Sequence, residues 1–102
     1  MSDNPFQHDQ FDDVIHGRLR LGLMAYLSTV SPATFSELKA KTGATDGNLS
    51  THLRKLEDAG YIKIDKKFVG RRPQTSARLT TKGRKAWFEW LERIRALMDA
   101  AE

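Results

Sequence analysis

The sequence contains no cysteine, and several other features that mark particular classes of protein are also absent. Without cysteine, the 102-residue chain has no disulfide, no thiolate zinc site, no iron–sulfur cluster and no thiol redox sensor. No apolar run approaches the ~18 residues that a membrane-spanning helix needs. The first residues lack the basic and then apolar segments of a secretory signal. These absences favour a soluble cytoplasmic protein, and the length fits one domain.

The residue groups that usually carry catalysis are missing too. The three histidines have neither cysteines nor a matching acidic pair with which to bind a metal ion. Gly17 and Gly22 are not followed by the Lys-Ser/Thr of a phosphate-binding loop. Asp12 and Asp13 are better interpreted as helix-capping residues than as paired catalytic carboxylates. We therefore expect no enzymatic activity, no catalytic residues, no metal and no cofactor.

Positive charge is concentrated in one part of the chain. The sequence has 17 Lys and Arg residues against 13 Asp and Glu residues, a formal charge of +4. Residues 1–17 contain four acidic and no Lys or Arg residues, whereas residues 54–85 contain eleven basic residues against three acidic ones, a net charge of +8. Such a concentration is typical of proteins that bind a polyanion. The alternative is a solvated face that only keeps the protein soluble.

The N-terminal third predicts an arm followed by a helix. Residues 1–11 are mostly polar and predict a flexible arm, so the folded domain is expected to span residues 12–102. Asp12 or Asp13 is placed to cap a helix that runs to about Thr29. Ser31-Pro32 would end this helix, because the residue before a proline disfavours helical backbone angles.

The next two helices are predicted to be short and joined by a tight turn. Thr34 and Glu37 match a capping box at the start of the first helix, and Gly43 is placed to end it. Thr45 can cap the second helix, whose apolar residues recur at helical spacing. These apolar residues are Leu49, Leu53 and Leu56. Two helices arranged in this way form a candidate helix-turn-helix.

The hydrophobic spacing then changes to alternation, which predicts a β-hairpin. Ile62, Ile64 and Phe68 fall on one face of a first strand, and Ala77 and Leu79 fall on one face of a second. The segment between the strands, residues 70–74, has the composition of a turn. Because a two-stranded hairpin is not stable alone, it is expected to pack against the helices.

The outer face of the second short helix, opposite its leucines, is polar and basic. Arg54 can pair with guanine and Asn48 with adenine, while Gly47 allows the backbone to approach a ligand closely. His52, at the edge of the buried face, either donates a hydrogen bond to a phosphate or is satisfied locally. An ordinary solvated face is the alternative for the whole surface. The candidate DNA-contacting residues here are Thr45, Gly47, Asn48, Ser50, Thr51, His52, Arg54 and Lys55.

The hairpin turn is a second candidate contact. Four positive charges surround it, and arginine is attracted to a narrow DNA minor groove by the negative potential there. The alternative is a loop that only adds solubility. The candidate DNA-contacting residues of the hairpin are Lys66, Lys67, Arg71, Arg72 and Gln74.

A last helix is predicted to begin at Thr80 or Thr81 and to run to about Asp99. At ~1.5 Å per residue this helix would be nearly 30 Å long, which is long for a domain whose expected radius of gyration is ~13 Å. Its apolar stripe and that of the first helix predict a two-fold symmetric homodimer, with packing inside one chain as the alternative. The candidate interface residues are Leu19, Leu23, Trp87, Trp90, Leu91, Ile94, Leu97 and Met98.

Three strings in this sequence resemble winged-helix transcriptional regulators. They are ATFSEL at residues 33–38, NLSTHLRKLEDAGYI at residues 48–62 and LTTKG at residues 79–83. The resemblance spans about residues 14–99 and is greatest to small stand-alone regulators related to the MarR and ArsR families. It implies an α+β winged helix-turn-helix fold, with residues 45–59 in the DNA major groove, residues 61–79 as the wing, and dimer contacts in the last helix.

The resemblance leaves the regulatory signal open. The absence of cysteine departs from ArsR-type metal sensors, and the short chain departs from typical MarR proteins, so nothing in the sequence supports a small-molecule effector. We expect a homodimer that binds double-stranded DNA sequence-specifically, on a pseudo-palindromic operator with half-sites about 34 Å apart. The alternative is a winged-helix interaction module that binds an acidic protein. Such a module would more often expose Leu, Phe or Tyr on the second short helix.

Overall fold

A computed structural model describes residues 4–101 of the chain, which form four α-helices and three strands after a one-turn 3-10 helix at His8–Gln10. In chain order they are α1 (Arg18–Leu27), β1 (Ala33–Thr34), α2 (Phe35–Thr42), α3 (Asp46–Asp58), β2 (Ile62–Val69), β3 (Arg72–Leu79) and α4 (Thr81–Ala100). The strands form one antiparallel sheet in the order β1-β3-β2. This architecture confirms the predicted α+β winged helix-turn-helix fold. Within residues 4–101 no helix is long and apolar enough to cross a membrane.

Threonine residues begin three of the helices, as their positions in the sequence predict. In each case the hydroxyl oxygen accepts a hydrogen bond from the backbone N–H three residues later. The pairs are Thr34–Glu37, Thr45–Asn48 and Thr80–Gly83, at 3.1, 3.2 and 2.9 Å. Gly43 ends α2 with a φ of 70°, in the left-handed region that favours glycine. The Glu37 carboxylate, which a capping box would turn toward Thr34, accepts a hydrogen bond from the Tyr26 hydroxyl instead.

The start of α1 differs from the prediction. The helix begins at Arg18, not at Asp12 or Asp13, and it ends at Leu27. Asp12 is not a helix cap, because its carboxylate accepts hydrogen bonds from the Val14 N–H, at 2.8 Å, and from the Tyr61 hydroxyl. Burial, this hydrogen bond and the charges of Asp12 and Glu89 raise the pKa of Tyr61 to about 12. The turn that precedes α1 is therefore held by a residue of the α3–β2 connection.

A single core lies between the helices and the base of the sheet. It takes residues from the turn before α1, from all four helices and from each strand. Its most fully buried side chains are Ile15, Leu23, Met24, Leu27, Leu38, Leu49, Leu56 and Ile62. The leucines of α3 are 0–2% exposed, as the helical spacing predicts. β1, which the alternation did not predict, adds Ala33 opposite Ala77 of β3.

The outer half of the hairpin projects beyond this core. Ile62 is buried and Ile64 is partly buried, but every residue of β2 from Asp65 onward is exposed. The prediction that Phe68 shares the buried face is therefore wrong, because no helix covers the hairpin at that distance and Phe68 is 74% exposed. The domain is consequently elongated, with extents of 54 × 25 × 21 Å.

The predicted arm and domain boundaries stay predictions. Residues 1–3 of the arm and residue 102 of the domain lie outside the described residues. Within the described part of the arm, Phe11 packs edge-on against Trp90 of α4 with the ring centroids 5.5 Å apart. The Arg93 side chain donates a hydrogen bond to Gln10 at 3.0 Å.

Candidate nucleic-acid interface

The burial of one face of α3 determines what its other face presents. Because Leu49, Leu53 and Leu56 are directed into the core, the opposite side of the helix is turned to solvent. Seven of the eight candidate residues on α3 and its cap are exposed and form one surface. They are Thr45, Gly47, Asn48, Ser50, Thr51, Arg54 and Lys55.

The N-terminus of α3 carries a charge pair that the sequence interpretation did not consider. Asp46, in the first turn, forms an ion pair with Lys39 of α2 at 2.8 Å, and both side chains are largely exposed. A carboxylate stabilises a helix N-terminus, but it would repel a DNA phosphate there. Lys39 places a compensating positive charge beside it. In the sequence, Lys39 and Asp46 are seven positions apart and lie in different helices, so no local spacing rule predicts that they pair.

His52 is the one candidate residue of α3 that is partly buried. Its Nδ1 atom lies 2.9 Å from a guanidinium nitrogen of Arg20 in α1. Burial, followed by the charges of Arg20 and Lys55, lowers the pKa of His52 below its usual value of 6.5. The neutral ring therefore accepts a hydrogen bond from Arg20, which is the local contact that was one of its two predicted roles. A phosphate contact would have to use the other ring nitrogen.

Arg20 links three parts of the fold: α1, the turn that precedes it, and α3. Besides His52, its guanidinium donates hydrogen bonds to the backbone oxygens of Val14, at 2.5 Å, and His16, at 3.1 Å. Sequence reasoning missed this role because Arg20 has no charged partner nearby along the chain. The contact to His52 spans 32 positions and exists only in the folded domain.

The hairpin turn is tight, and its charges are unpaired. Gly70 and Arg71 are its two central residues, and the positive φ of 66° at Gly70 alone is typical of a type II′ turn. The side chains of Lys66, Lys67, Arg71 and Arg72 are exposed, and Gln74 is partly buried. Among the described residues, none of these four cations forms an ion pair, while Arg78 and Asp65, at 3.7 Å, do so nearer the core.

The structure divides the candidate dimer residues into two groups. Leu23, Trp87 and Trp90 are 0%, 8% and 7% exposed within a single chain, because they belong to its core. Leu19, Ile94 and Leu97 are partly buried, whereas Leu91 and Met98 are exposed. Phe88 of α4 is also exposed, and the sequence interpretation did not include it. At the start of α4 the outward apolar side chain is therefore Phe88 and not one of the two predicted tryptophans.

Two further grooves lie on the surface of the described residues. One of about 820 Å³ lies between α1 and the α2–α3 turn and is lined by Leu19, Gly22, Tyr26 and Asn48 among others. Another of about 450 Å³ lies where Phe6 and Phe11 meet Trp90 and Ile94. Within residues 4–101 there is no cluster of three His, Asp or Glu side chains that could hold a metal ion.

The comparisons with known proteins agree with this architecture. The family model of the winged-helix DNA-binding domain matches residues 19–98. An uncharacterized protein of Methanocaldococcus jannaschii is 33% identical over 89 residues, which cover 87% of this chain and 97% of that protein. The structure of a transcriptional regulator homologue from Pyrococcus horikoshii OT3 is similar with a TM-score of 0.84 and 28% identity, over 92% of this chain and 94% of that one.

Two further solved structures share the fold at lower identity. NadR in complex with 4-hydroxyphenylacetate has a TM-score of 0.68 at 22% identity, over 92% of this chain and 69% of that one. An ArsR-family transcriptional regulator has a TM-score of 0.58 at 24% identity, over 97% of both chains. The family match covers most of the chain, and it includes the candidate interface on α3 and the hairpin. The chain therefore belongs to the winged-helix DNA-binding domain family and is a DNA-binding regulator, not an enzyme.

Proposed function

We propose that this regulator binds double-stranded DNA sequence-specifically as a homodimer, with α3 in the major groove and the β2–β3 hairpin against the adjacent minor groove. The observation that supports this assignment is the exposed polar face of α3, which includes Arg54 and Asn48. Arginine pairs with guanine and asparagine with adenine through two hydrogen bonds each, so this face can distinguish base pairs. DNA as the ligand also accords with a cytoplasmic location.

The proposal of a dimer rests on the apolar side chains of α4 that the core of the single chain does not cover. Leu91 is 42% and Met98 is 65% exposed, and both lie beyond the two tryptophans that the core covers. Ile94 and Leu97 lie between them and are only partly buried. Pairing of two α4 helices about a two-fold axis would bury this stripe and would present two α3 helices to half-sites about 34 Å apart. The operator is then expected to be a pseudo-palindrome.

A titration of duplex DNA over a series of salt concentrations tests the proposal. The logarithm of the binding constant is expected to fall linearly with the logarithm of salt concentration, with a slope of about −0.9 per neutralised phosphate. Removal of two phosphate contacts by Arg71→Ala with Arg72→Ala should make the slope shallower by about 2. Lys85→Ala removes an exposed charge of α4 outside the proposed contacts and serves as the matched control.

Sequence specificity is tested at Arg54. Arg54→Ala should relax the preference at one base pair, at a cost of roughly 1–3 kcal/mol for the preferred site. A selection of duplexes from a random library with the unaltered protein would supply the operator for this measurement. A flat salt dependence, or no binding at low salt, would contradict the proposal. An unchanged preference in Arg54→Ala would contradict the role of Arg54.

The alternative role, docking of an acidic protein, finds less support in α3. None of the exposed large hydrophobic residues of the described chain lies on this helix. A protein-docking surface usually has an apolar centre. Loss of DNA binding in the Arg54 and Arg71/Arg72 variants with an unchanged mass in solution would support the DNA-binding role over this alternative.

A further inference from the structure

The tip of the hairpin carries apolar side chains that neither folding nor solubility requires. Phe68 is 74% exposed, the largest value among the exposed large hydrophobic residues of the described chain, and the adjacent Val69 is 54% exposed. Pro73 lies directly opposite Phe68 in the register of the two strands, and it is exposed as well. A single exposed apolar residue is ordinary. Three of them at the end of a projecting hairpin require an explanation.

The geometry of the hairpin holds Phe68 well away from the core. Directly opposed residues of an antiparallel pair share a face, so Phe68 and Pro73 lie on the same face as Ile64 and Ala77. At ~3.4 Å per residue, Phe68 lies about 14 Å beyond Ile64, the last side chain of that face in β2 that the core covers in part. The ring therefore reaches into space that only a binding partner can fill.

The charges around the ring indicate which partner this is. Lys66, Lys67, Arg71 and Arg72 flank the apolar pair, and no acidic residue lies between positions 66 and 75. Pro73 lacks a backbone N–H, which disfavours the addition of another strand along this part of β3. An aromatic ring within a cluster of unpaired cations fits a polyanion that also offers apolar surface. The minor groove of DNA meets both conditions, since proteins insert Phe or Pro there between base steps.

We propose that Phe68, supported by Pro73, is an apolar wedge that enters the minor groove of the operator and bends the DNA. The proposal rests on the proposed function, because it requires the hairpin to lie against a duplex. The cations hold the phosphates on each side of the groove, and the ring partly unstacks one base step between them. Pyrimidine–purine steps, which unstack most easily, are the expected position in the operator.

The wedge and the cations contribute to binding in different ways. Charge neutralisation releases counterions and depends on salt, whereas contact of a neutral ring with base edges releases none. Phe68→Ala should therefore weaken binding by about ten-fold at every salt concentration without changing the slope. Phe68→Met should retain most of the affinity, because methionine can also serve as an apolar wedge.

The experiment compares these variants on the selected duplex, labelled at both ends so that energy transfer reports bending. We expect the unaltered protein and Phe68→Met to bend the duplex, and Phe68→Ala to bind with little bending. Val30→Ala, which shortens another exposed apolar side chain away from the hairpin, is the matched control and should change neither quantity. Because Phe68 is exposed, Phe68→Ala should leave the melting temperature unchanged. Measurement of the melting temperature therefore distinguishes loss of the fold from loss of the DNA contact.

The outcomes separate this inference from the function on which it rests. If the unaltered protein fails to bind duplex DNA at low salt, both proposals fail. If it binds with the expected salt dependence and Phe68→Ala has the same affinity and bending, the wedge is overturned while DNA binding stands. If Phe68→Ala instead lowers the mass in solution, the apolar tip joins copies of the chain, and the wedge is again overturned.

Discussion

At the residue scale, Arg20 joins α1 both to the turn that precedes it and to α3. Its planar guanidinium donates hydrogen bonds to the backbone oxygens of Val14 and His16, before α1, and to the imidazole of His52 in α3. Lysine has the same charge but offers a single ammonium group, which cannot reach three acceptors in the same geometry. The orientation of α3 relative to the preceding turn thus depends on side-chain shape as well as on charge.

Substitution of Arg20 tests this dependence. Arg20→Lys should lower the free energy of unfolding by about 1–2 kcal/mol, since at least one hydrogen-bond acceptor loses its donor. We also expect weaker DNA binding, because α3 would no longer be held at one angle. Chemical denaturation and the duplex titration measure the two effects. Arg18→Lys, at an exposed position of the same helix, is the control and should behave like the unaltered protein.

His52 should make stability depend on pH. Its pKa is lowered in the folded chain, so the unfolded chain, with the ordinary value of 6.5, binds a proton more readily. The contribution to stability is therefore complete above pH 6.5 and is lost as the pH falls below that value toward the folded pKa. Denaturation at a series of pH values should show a shallower decline for His52→Gln. If the stability of the unaltered protein and that of His52→Gln fall equally with pH, this role of His52 is contradicted. His8 and His16 are present in both proteins, so only a difference between the two curves reports on His52.

At the element scale, the junction between the hairpin and α4 allows almost no additional volume. Gly83, in the LTTKG string, is buried, and a Cβ atom there would lie 2.0 Å from the backbone oxygen of Tyr61. That oxygen accepts a hydrogen bond from the Thr80 N–H at 3.0 Å, and the Thr80 hydroxyl donates to the Gly60 oxygen at 2.6 Å. The start of α4 and the α3–β2 connection are therefore in backbone contact, which positions the hairpin on the helices.

A methyl group at this junction should separate the two elements. Gly83→Ala is expected to lower the free energy of unfolding by about 3 kcal/mol, because the contacted atom is backbone and cannot rotate away. Gly22→Ala is the matched control, since a Cβ atom there has nothing within 4 Å. Replacement of glycine by alanine inside a helix should raise stability by about 0.5–1 kcal/mol. Equal effects of the two substitutions in chemical denaturation would contradict this account of the junction.

At the scale of the whole molecule, the domain is longer than its core requires. Its radius of gyration is 15.3 Å, against about 13 Å for a compact domain of this size. Two projections, the outer half of the hairpin and the C-terminal half of α4, contain no buried residue. The first carries unpaired cations, which suit DNA, and the second carries apolar side chains, which suit a second copy of the chain.

Charges placed on the second projection should separate the proposed dimer. Leu91→Glu with Met98→Glu is expected to halve the mass in solution and to weaken binding to the two-half-site operator. The monomer should stay folded, because Trp87 and Trp90 remain in the core of the single chain. Lys85→Glu reverses a charge elsewhere on α4 and is the control for the mass in solution. Sedimentation would refute the interface if the unaltered protein already had the mass of one chain.

The features that the amino-acid sequence predicted correctly are those that depend on neighbouring residues. Thr34, Thr45 and Thr80 cap their helices through a backbone N–H three positions away, and Gly43 needs only its own backbone angles. The period of the leucines in α3 likewise fixes which face of that helix is buried. These local rules were sufficient for the helix-turn-helix and the exposed polar surface of α3. They also predicted the hairpin, except that residues 72–74, assigned to the turn, belong to β3 and pair with β2.

Long-range contacts decided the rest, because they join residues whose proximity no local pattern encodes. The Asp12 carboxylate, which was predicted to cap α1, instead accepts a hydrogen bond from the hydroxyl of Tyr61, 49 positions later, and α1 begins at Arg18. Arg20 and His52 meet only after α1 packs on α3, and Trp87 and Trp90 are already buried in the core of the single chain. Phe68 alternates like a core residue, yet only the folded domain reveals that no helix extends far enough to cover it.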